Sequence, residues 1–308
     1  MLPAFLLSAL QNAAKNYSVK NLKKSAVAVS ETYRKTERKG QHLVVSSEDV
    51  LSYALTRMPA TFEVISSVLK ELPSSCSSMI DVGAGTGAGA CVAISGEYAK
   101  EILCLERELA MLQLGETLLK NAYPQVAWKK FDLSCQKIEQ KADIVLSSYV
   151  LNELSEENRI FAVEKMWQAT NHFLIIIDSG TPSAFEMMKK FRSYLIEQGA
   201  FMVAPCPCSA ECLNKWCHFE VRVARTKMHK FLKAGQAPFE DEKFTYLIFS
   251  KQPERVCRSR VLRHPRIEKG KIGLQLCTKD GIIEKVISKK EEALFKKARK
   301  IKAGDALE

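Results

Sequence analysis

The stretch Met79-Ile-Asp-Val-Gly-Ala-Gly-Thr-Gly87 constrains this chain more than any other. A short apolar run ends on an acid, Asp81, and glycines follow at 83, 85, 87 and 89 before the apolar segment Ala90–Ile94. That order is a buried strand, a tight turn and a helix N-terminus, the opening unit of a doubly wound α/β sheet. Bare backbone in the turn lets a ligand come close and lets φ turn positive. The details of the turn choose the ligand. A dinucleotide lays its pyrophosphate on the helix N-terminus. Asp81, two residues before the first loop glycine, repels phosphate and accepts a cation. S-adenosylmethionine carries a sulfonium and an ammonium and no phosphate. The acid followed by Gly83, Gly85 and Gly87 therefore selects that cofactor over NAD.

Later apolar runs continue the sheet. The second strand, Ile102–Leu105, ends at Glu106, an acid placed to accept from both ribose hydroxyls. The third, Val126–Phe131, ends at Asp132, placed for the adenine amino group. The fourth, Asp143–Ser147, leads into Ser148-Tyr-Val-Leu-Asn-Glu153, and the fifth is Phe173–Asp178. Open α/β sheets bind ligands outside the carboxyl ends of their strands. Asp81, Glu106, Asp132, Tyr149 and Asp178 all fall there. Tyr149 and Asn152 are nearest a transferable methyl and are the candidates for touching cofactor and orienting an acceptor. Neither is a strong base at neutral pH, so no catalytic residue is assigned. A helix over Ser183–Gln198, a strand at Ala200–Ala204 and another at Phe244–Ser250 complete a seven-stranded sheet closed by an antiparallel pair.

Ahead of the sheet, residues 1–30 hold lysines but no Asp or Glu, as organelle transit peptides do. Yet Leu6, Leu10 and Ala14, then Leu22, Ala26 and Val29, recur at helical spacing. Two amphipathic helices of the fold are expected, then a third over Ser47–Met58 and a fourth from Pro59 to about Leu72. Ser46 caps the third, with Glu48 and Asp49 in its first turn. The domain expectation is a helical block at 1–72, a methyltransferase-like domain at 73–251 with an insertion at 205–243, and a basic extension at 252–308.

Charge narrows the partner. The chain carries a net +11, and from residue 251 onward 17 Lys and Arg face 8 Asp and Glu, a net of +9. Such an excess fits a polyanion, with nucleic acid the default. No apolar run approaches the roughly eighteen residues of a membrane span. Within this segment Ile272–Cys277 and Gly281–Ile287 form a hairpin signal, and Lys296–Lys302 reads as a basic strand or tail.

Ten cysteines remain. Without a secretory signal a reducing compartment is expected, where clustered cysteines bind metal rather than pair. Cys76, Cys91, Cys104 and Cys135 read as inert buried thiols. Cys206, Cys208, Cys212 and Cys217 crowd into twelve residues. The spacing Cys206-x5-Cys212-x4-Cys217 is looser than the Cys-x2-Cys of zinc ribbons. An iron–sulfur cubane suits three spread ligands and a remote fourth. Cys277 is the first choice for that fourth, with Cys208, Cys257 and His218 as substitutes and zinc as the alternative metal. A nucleophilic cysteine for pyrimidine methylation would belong after the fourth or fifth strand, which carry none. No Asn-Pro-Pro-Tyr of amine methylases occurs either.

Several segments occur together in a telling order: Asp81–Gly87, Glu106, Asn152-Glu-Leu154, Gly180-Thr-Pro182, Ala204-Pro-Cys-Pro207, Trp216-Cys-His-Phe219, Glu240-Asp-Glu-Lys-Phe244 and Cys277. Over nearly the whole chain this resembles the methyltransferase-like family acting in assembly or translation of the small ribosomal subunit, in bacteria and mitochondria. Tyr33-Arg34 and Tyr53–Pro59 resemble the leading helices of bacterial members. The resemblance implies a class I methyltransferase fold, S-adenosylmethionine, and a [4Fe-4S] cluster held by Cys206, Cys212, Cys217 and Cys277. It also implies binding to small-subunit ribosomal RNA. Position 208 is cysteine where members often carry histidine, which leaves Cys206 and Cys208 competing for one place.

The resulting expectation is a cluster-containing, cofactor-binding factor of the small subunit, with methylation of ribosomal RNA as its candidate reaction. It would be monomeric off the ribosome and placed in the cytoplasm, with the mitochondrial matrix as the alternative. The competing readings are a non-catalytic RNA-binding assembly factor with a vestigial pocket, and a small-molecule methyltransferase with a zinc site.

Overall fold

The structure is a computed structural model that describes residues 2–34 and 46–307. The side chains of Tyr33 and Arg34 lie outside it. The chain divides into two compact units, one of Met1–Asp178 with Val221–Glu242, the other of Ser179–Glu220 with Lys243–Glu308.

The first unit opens with α1 (Ala4–Ala14) and α2 (Val19–Arg34), whose buried stripes are the spaced Leu6, Leu10, Ala14 and Leu22, Ala26, Val29. Both pack on α3 (Ser47–Leu69). Ser46 caps α3 in a full capping box with Asp49. Here the sequence reading needs correction, because α3 is one helix with Pro59 inside it and not two. Proline costs a helix interior about 3 kcal/mol. Met58, Ala60, Phe62, Val64, Ile65, Val68 and Leu69 are all buried, so α3 hides its apolar surface on both sides of the proline. Burial of several such side chains, each worth roughly 1.5–3 kcal/mol, outweighs the break.

The five strands that follow are β1 (Ser78–Val82), β2 (Glu101–Glu106), β3 (Ala127–Lys130), β4 (Ala142–Ser148) and β5 (Thr170–Ser179), joined through α4 (Ala88–Ser95), α5 (Leu109–Leu119) and α6 (Glu156–Ala169). They are parallel and ordered β3-β2-β1-β4-β5. The order reverses between β1 and β4, which is where such sheets bind ligands. Of the four cysteines expected to be buried, Cys91 and Cys104 are, Cys76 is half-buried and Cys135 is exposed. Cys135 lies in the turn after β3, outside the strand itself.

The first unit also holds most of a hairpin that the sequence reading did not contain. In it β7 (Phe219–Ala224) pairs with β8 (Phe239–Ser250) around α8 (Lys227–Leu232), which packs on α2 and α3. Glu240 anchors it, accepting from Arg225 at 2.6 Å and from Lys233 at 3.0 Å.

The second unit starts with α7 (Pro182–Glu197), capped by Thr181 with proline at its first position. The strand β6 (Phe201–Ala204) runs antiparallel to the last residues of β8, Phe201 opposite Ser250. That is the expected antiparallel pair of the methyltransferase variant. A second sheet holds β9 (Ser259–Val261), β10 (Arg266–Glu268), β11 (Lys271–Thr278), β12 (Gly281–Ser288) and β13 (Ala306–Leu307). The expected hairpin is β11–β12, in register from Lys271–Ser288 to Thr278–Gly281. Its core is Val261, Ile272, Leu274, Leu276 and Ile287, closed by Ala298. The C-terminal basic run is also corrected: α9 (Glu292–Ala298) carries its first lysines in a helix, not a strand. Helical pairing puts Leu294 and Phe295 on that core while Lys296 and Lys297 stay in the last turn, favourable against the helix dipole.

Candidate functional site

The first unit gathers its polar groups at the carboxyl ends of β1, β2, β4 and β5. After Asp81, Gly83, Gly85 and Gly87 all take positive φ, at 72°, 56° and 87°. The turn is tied to β2, where the Leu105 carbonyl accepts from the N–H groups of Gly83 and Ala84 at 2.8 and 3.1 Å. Glu106 completes the tie, its two oxygens accepting from Gly85 N–H at 2.7 Å and Glu108 N–H at 2.8 Å. Gly85 is also the open point of the turn, since a side chain there would meet only the Met111 sulfur, at 3.9 Å.

Asp81 is 1% exposed, and neither carboxylate oxygen has a hydrogen-bond partner. Burial, then the charge of Glu106, pushes it up to about 7; the Ala90 N–H at the start of α4 pulls the other way without closing a hydrogen bond to either oxygen. Burial likewise raises Glu106, against the N–H groups of Glu108 and Gly85. An unpaired buried carboxylate is expensive unless a cation or a proton joins it.

Tyr149 follows β4 with φ at +62°, a left-handed backbone in a bulky residue. Its N–H donates to Ile177 O at 2.9 Å, and its hydroxyl lies 3.4 Å from Glu242 Oε1. Burial and the Glu242 charge raise the phenol well above its usual range. Asn152 Nδ2 donates to Asp178 Oδ1 at 2.7 Å. Thus Asp81, the glycines and Glu106 form one connected set, and Tyr149, Asn152 and Asp178 line the adjoining strand ends. Asp132 serves its own turn, Oδ1 accepting from the Ser134 N–H at 2.9 Å and hydroxyl at 2.6 Å. No hydrogen bond among the described residues joins it to the others.

Three residues of the site escaped the sequence reading. Arg57, from α3, grips Glu242 of β8 with contacts of 2.9 and 3.3 Å, and its guanidinium lies 5.7 Å from the Tyr149 ring. Glu153, two positions beyond the 3₁₀ turn's start, is pushed up to about 8 by burial and then by Glu106. The signal for Glu242 was its place in the Glu240–Phe244 segment and for Glu153 its neighbour Asn152. Arg57 lay inside the Tyr53–Pro59 segment, where nothing set it apart, because a lone arginine in an amphipathic helix is ordinary.

In the second unit, Cys206, Cys212, Cys217 and Cys277 line one cavity together with Arg192 and Arg260. Burial raises all three of Cys206, Cys277 and Cys217, the first to about 11 and the second to about 12. The neighbouring thiols reinforce this, and Arg192 opposes it at Cys206. Cys208 does not line the cavity, though its carbonyl receives Arg192 Nη2 at 2.8 Å. Among the described residues no group of three or more His, Cys, Asp or Glu side chains is placed to hold a single metal ion. Trp216 is stacked on His218 at 4.2 Å between centroids and donates to Gly180 O at 3.1 Å. No helix among the described residues is long and apolar enough to cross a membrane.

Residues 47–308 match a family described as "Mitochondrial small ribosomal subunit Rsm22". Over 289 residues the chain is 26% identical to the human "Ribosome assembly protein METTL17, mitochondrial". That alignment covers 84% of this chain and 62% of the relative's length. Among solved structures, a methyltransferase, NodS from Bradyrhizobium japonicum with S-adenosyl-l-homocysteine, overlaps 72% of this chain and 99% of its own at 12% identity and a TM-score of 0.46. A putative RNA methyltransferase from Pyrococcus horikoshii overlaps 63% of this chain and 83% of its own at 16% identity and a TM-score of 0.42.

Proposed function

The chain belongs to the family described as mitochondrial small ribosomal subunit Rsm22, and from that premise we propose that it is a small-subunit factor that binds S-adenosylmethionine and an iron–sulfur cluster. The observation that carries the cofactor reading is the buried Asp81 carboxylate without a partner, beside a turn of three left-handed glycines. A ligand bearing cations and no phosphate fits that electrostatics. The residues that would hold it are Asp81, Gly83, Gly85, Gly87, Glu106 and Tyr149, with Asp132 at the β3 end. The bound cofactor would supply an electrophilic methyl group. This chain's residues would exclude water and orient an acceptor, a contribution of position rather than proton transfer. Tyr149 and Asn152 would do so from the ends of β4 and the turn after it.

The cluster reading rests on the donor set. Four thiols, Cys206, Cys212, Cys217 and Cys277, share one cavity with two arginines. Thiolates are the ligands of iron–sulfur clusters and also of structural zinc, and the loose Cys206-x5-Cys212-x4-Cys217 spacing with a remote Cys277 favours the cluster. The partner proposed is small-subunit RNA, met by the basic segment from residue 251. The named relatives are mitochondrial, which favours the matrix over the cytoplasm expected first.

A second reading, an assembly factor without catalysis, has its own support. Both Glu106 oxygens are taken by the chain's own N–H groups, and Tyr149 and Asn152 are engaged by Glu242 and Asp178. Titration calorimetry with S-adenosylmethionine tests the pocket; absence of binding defeats the cofactor reading. Labelled methyl transferred to isolated small-subunit RNA separates enzyme from scaffold. Affinity for that RNA should fall steeply as salt rises, and a flat salt response would favour a small-molecule substrate.

A further inference from the structure

Arg192 lies on α7 with 5% of its surface exposed. Its Nη2 donates to the carbonyls of Cys208 and Ala210 at 2.8 and 2.7 Å, and its Nε has no hydrogen-bond partner. These acceptors are neutral, and among the described residues no carboxylate pairs with it. A guanidinium stays charged at any pH a protein survives. A buried charge without a counter-charge is costly and points to an anion that belongs beside it. The groups that share its cavity are Cys206, Cys212, Cys217 and Cys277. Protonated thiols carry no charge, whereas four thiolates around an iron–sulfur core leave the centre net negative. Arg260 adds a second buried guanidinium to the same cavity, 2% exposed, donating to Pro205 O and Gly304 O at 3.0 Å each.

We infer that Arg192 is the electrostatic counterpart of the cluster: it clamps the Cys206–Cys212 loop through two carbonyls and holds the cluster's reduction potential up with a fixed positive charge. This rests on the cluster reading above. Net charge and surrounding dipoles tune such potentials. Adding an electron makes a negative centre more negative, so removing a neighbouring cation disfavours reduction. Arg192 does not ligate iron; it is a positioning residue.

The test uses the full chain reconstituted with iron and sulfide, as wild type, Arg192→Gln and Arg192→Lys. Redox titration followed by visible absorbance and electron paramagnetic resonance should place the Gln variant at a more negative midpoint, with Lys close to wild type. Retention of iron against a chelator should weaken about tenfold or more in the Gln variant. Thermal unfolding of stripped and loaded protein adds a readout that a purely structural role would not move. Loading should stabilise wild type more than the Gln variant. Equal midpoints in Gln and wild type overturn the inference, as does an equal shift in Gln and Lys. Equal loss of stability with and without the cluster, including a Gln chain that folds in neither state, also overturns it. A wild-type chain that takes up no iron and sulfide defeats the cluster reading and this inference together. That outcome is seen before any variant is made.

Discussion

The Arg57 guanidinium holds the Glu242 carboxylate through contacts of 2.9 and 3.3 Å, bridging positions 185 residues apart in the chain. The same carboxylate receives the Tyr149 hydroxyl at 3.4 Å. A residue held in a left-handed backbone is thereby steadied at its far end, a combination associated with functional sites.

Glu242→Gln should lower stability by about 1–3 kcal/mol, since it leaves a half-buried guanidinium short of its partner. Urea unfolding reads the loss directly. Arg57→Ala should cost a similar amount, and the double variant less than the sum. Additive losses would show that the two side chains do not act as a pair.

Asp81 gives the protein a pH dependence whose sign follows from its environment. Its ordinary value is 3.8, and burial lifts it to about 7 in the folded chain. The folded state therefore holds a proton that the unfolded state releases. The ligand-free protein should lose stability as pH rises from about 4 to about 7, by an amount on the order of 4 kcal/mol at most. Asp81→Asn should flatten that decline. Conversely, affinity for a cationic cofactor should improve through the same window, with proton release on binding. Calorimetry in buffers of different ionisation enthalpy detects that release, and its absence would clear Asp81 of contacting the ligand.

Gly89→Ala should act against the usual helix rule. Alanine in place of a helical glycine ordinarily stabilises by roughly 0.8–1 kcal/mol. Here the added carbon would collide with the Asp81 carboxylate and lie 2.9 Å from Leu146. A loss of about 1–3 kcal/mol is expected, as in other overpacked cores, and cofactor affinity should fall with it. Thermal unfolding decides the sign.

Cys277→Ser should sharply reduce the iron and sulfide retained by reconstituted protein, because Cys277 lines the thiol cavity. Cys208→Ser should leave the content near that of wild type, its side chain lying off that lining. Metal analysis of Cys208→Ser beside Cys206→Ser, which removes a thiol of the lining and should lose iron and sulfide, settles which cysteine of the Cys206–Cys208 pair ligates. The reverse ranking would assign the ligand to Cys208.

Legibility followed the distance over which each cause acts. The parallel strands could be read because burial on both faces makes unbroken apolar runs, and Ile80, Val82, Ile144 and Ile175 are all buried. The buried stripes of α1 and α2 were visible as spacing alone. Pro59 misled because local propensity argues for a break, while the packing that overrides it comes from distant segments. Asp81 stood out as an acid closing an apolar strand. Arg57 and Glu242 did not, since each is unremarkable until folding brings them together. The β7–β8 hairpin was hidden for the same reason: Glu240 gathers Arg225, His229 and Lys233 only once the turn has closed.

The division of the chain bears on how the protein could ever be taken apart. The boundary is crossed at three places, after Asp178, after Glu220 and after Glu242. Neither unit is a contiguous piece of sequence. A protease nicking one connection frees nothing, and truncation from either end removes part of one unit while leaving the other interrupted. Synthesis from the N-terminus has a matching consequence. The first unit cannot be complete until Glu242 has left the ribosome, by which time Ser179–Glu220 of the second has already been made.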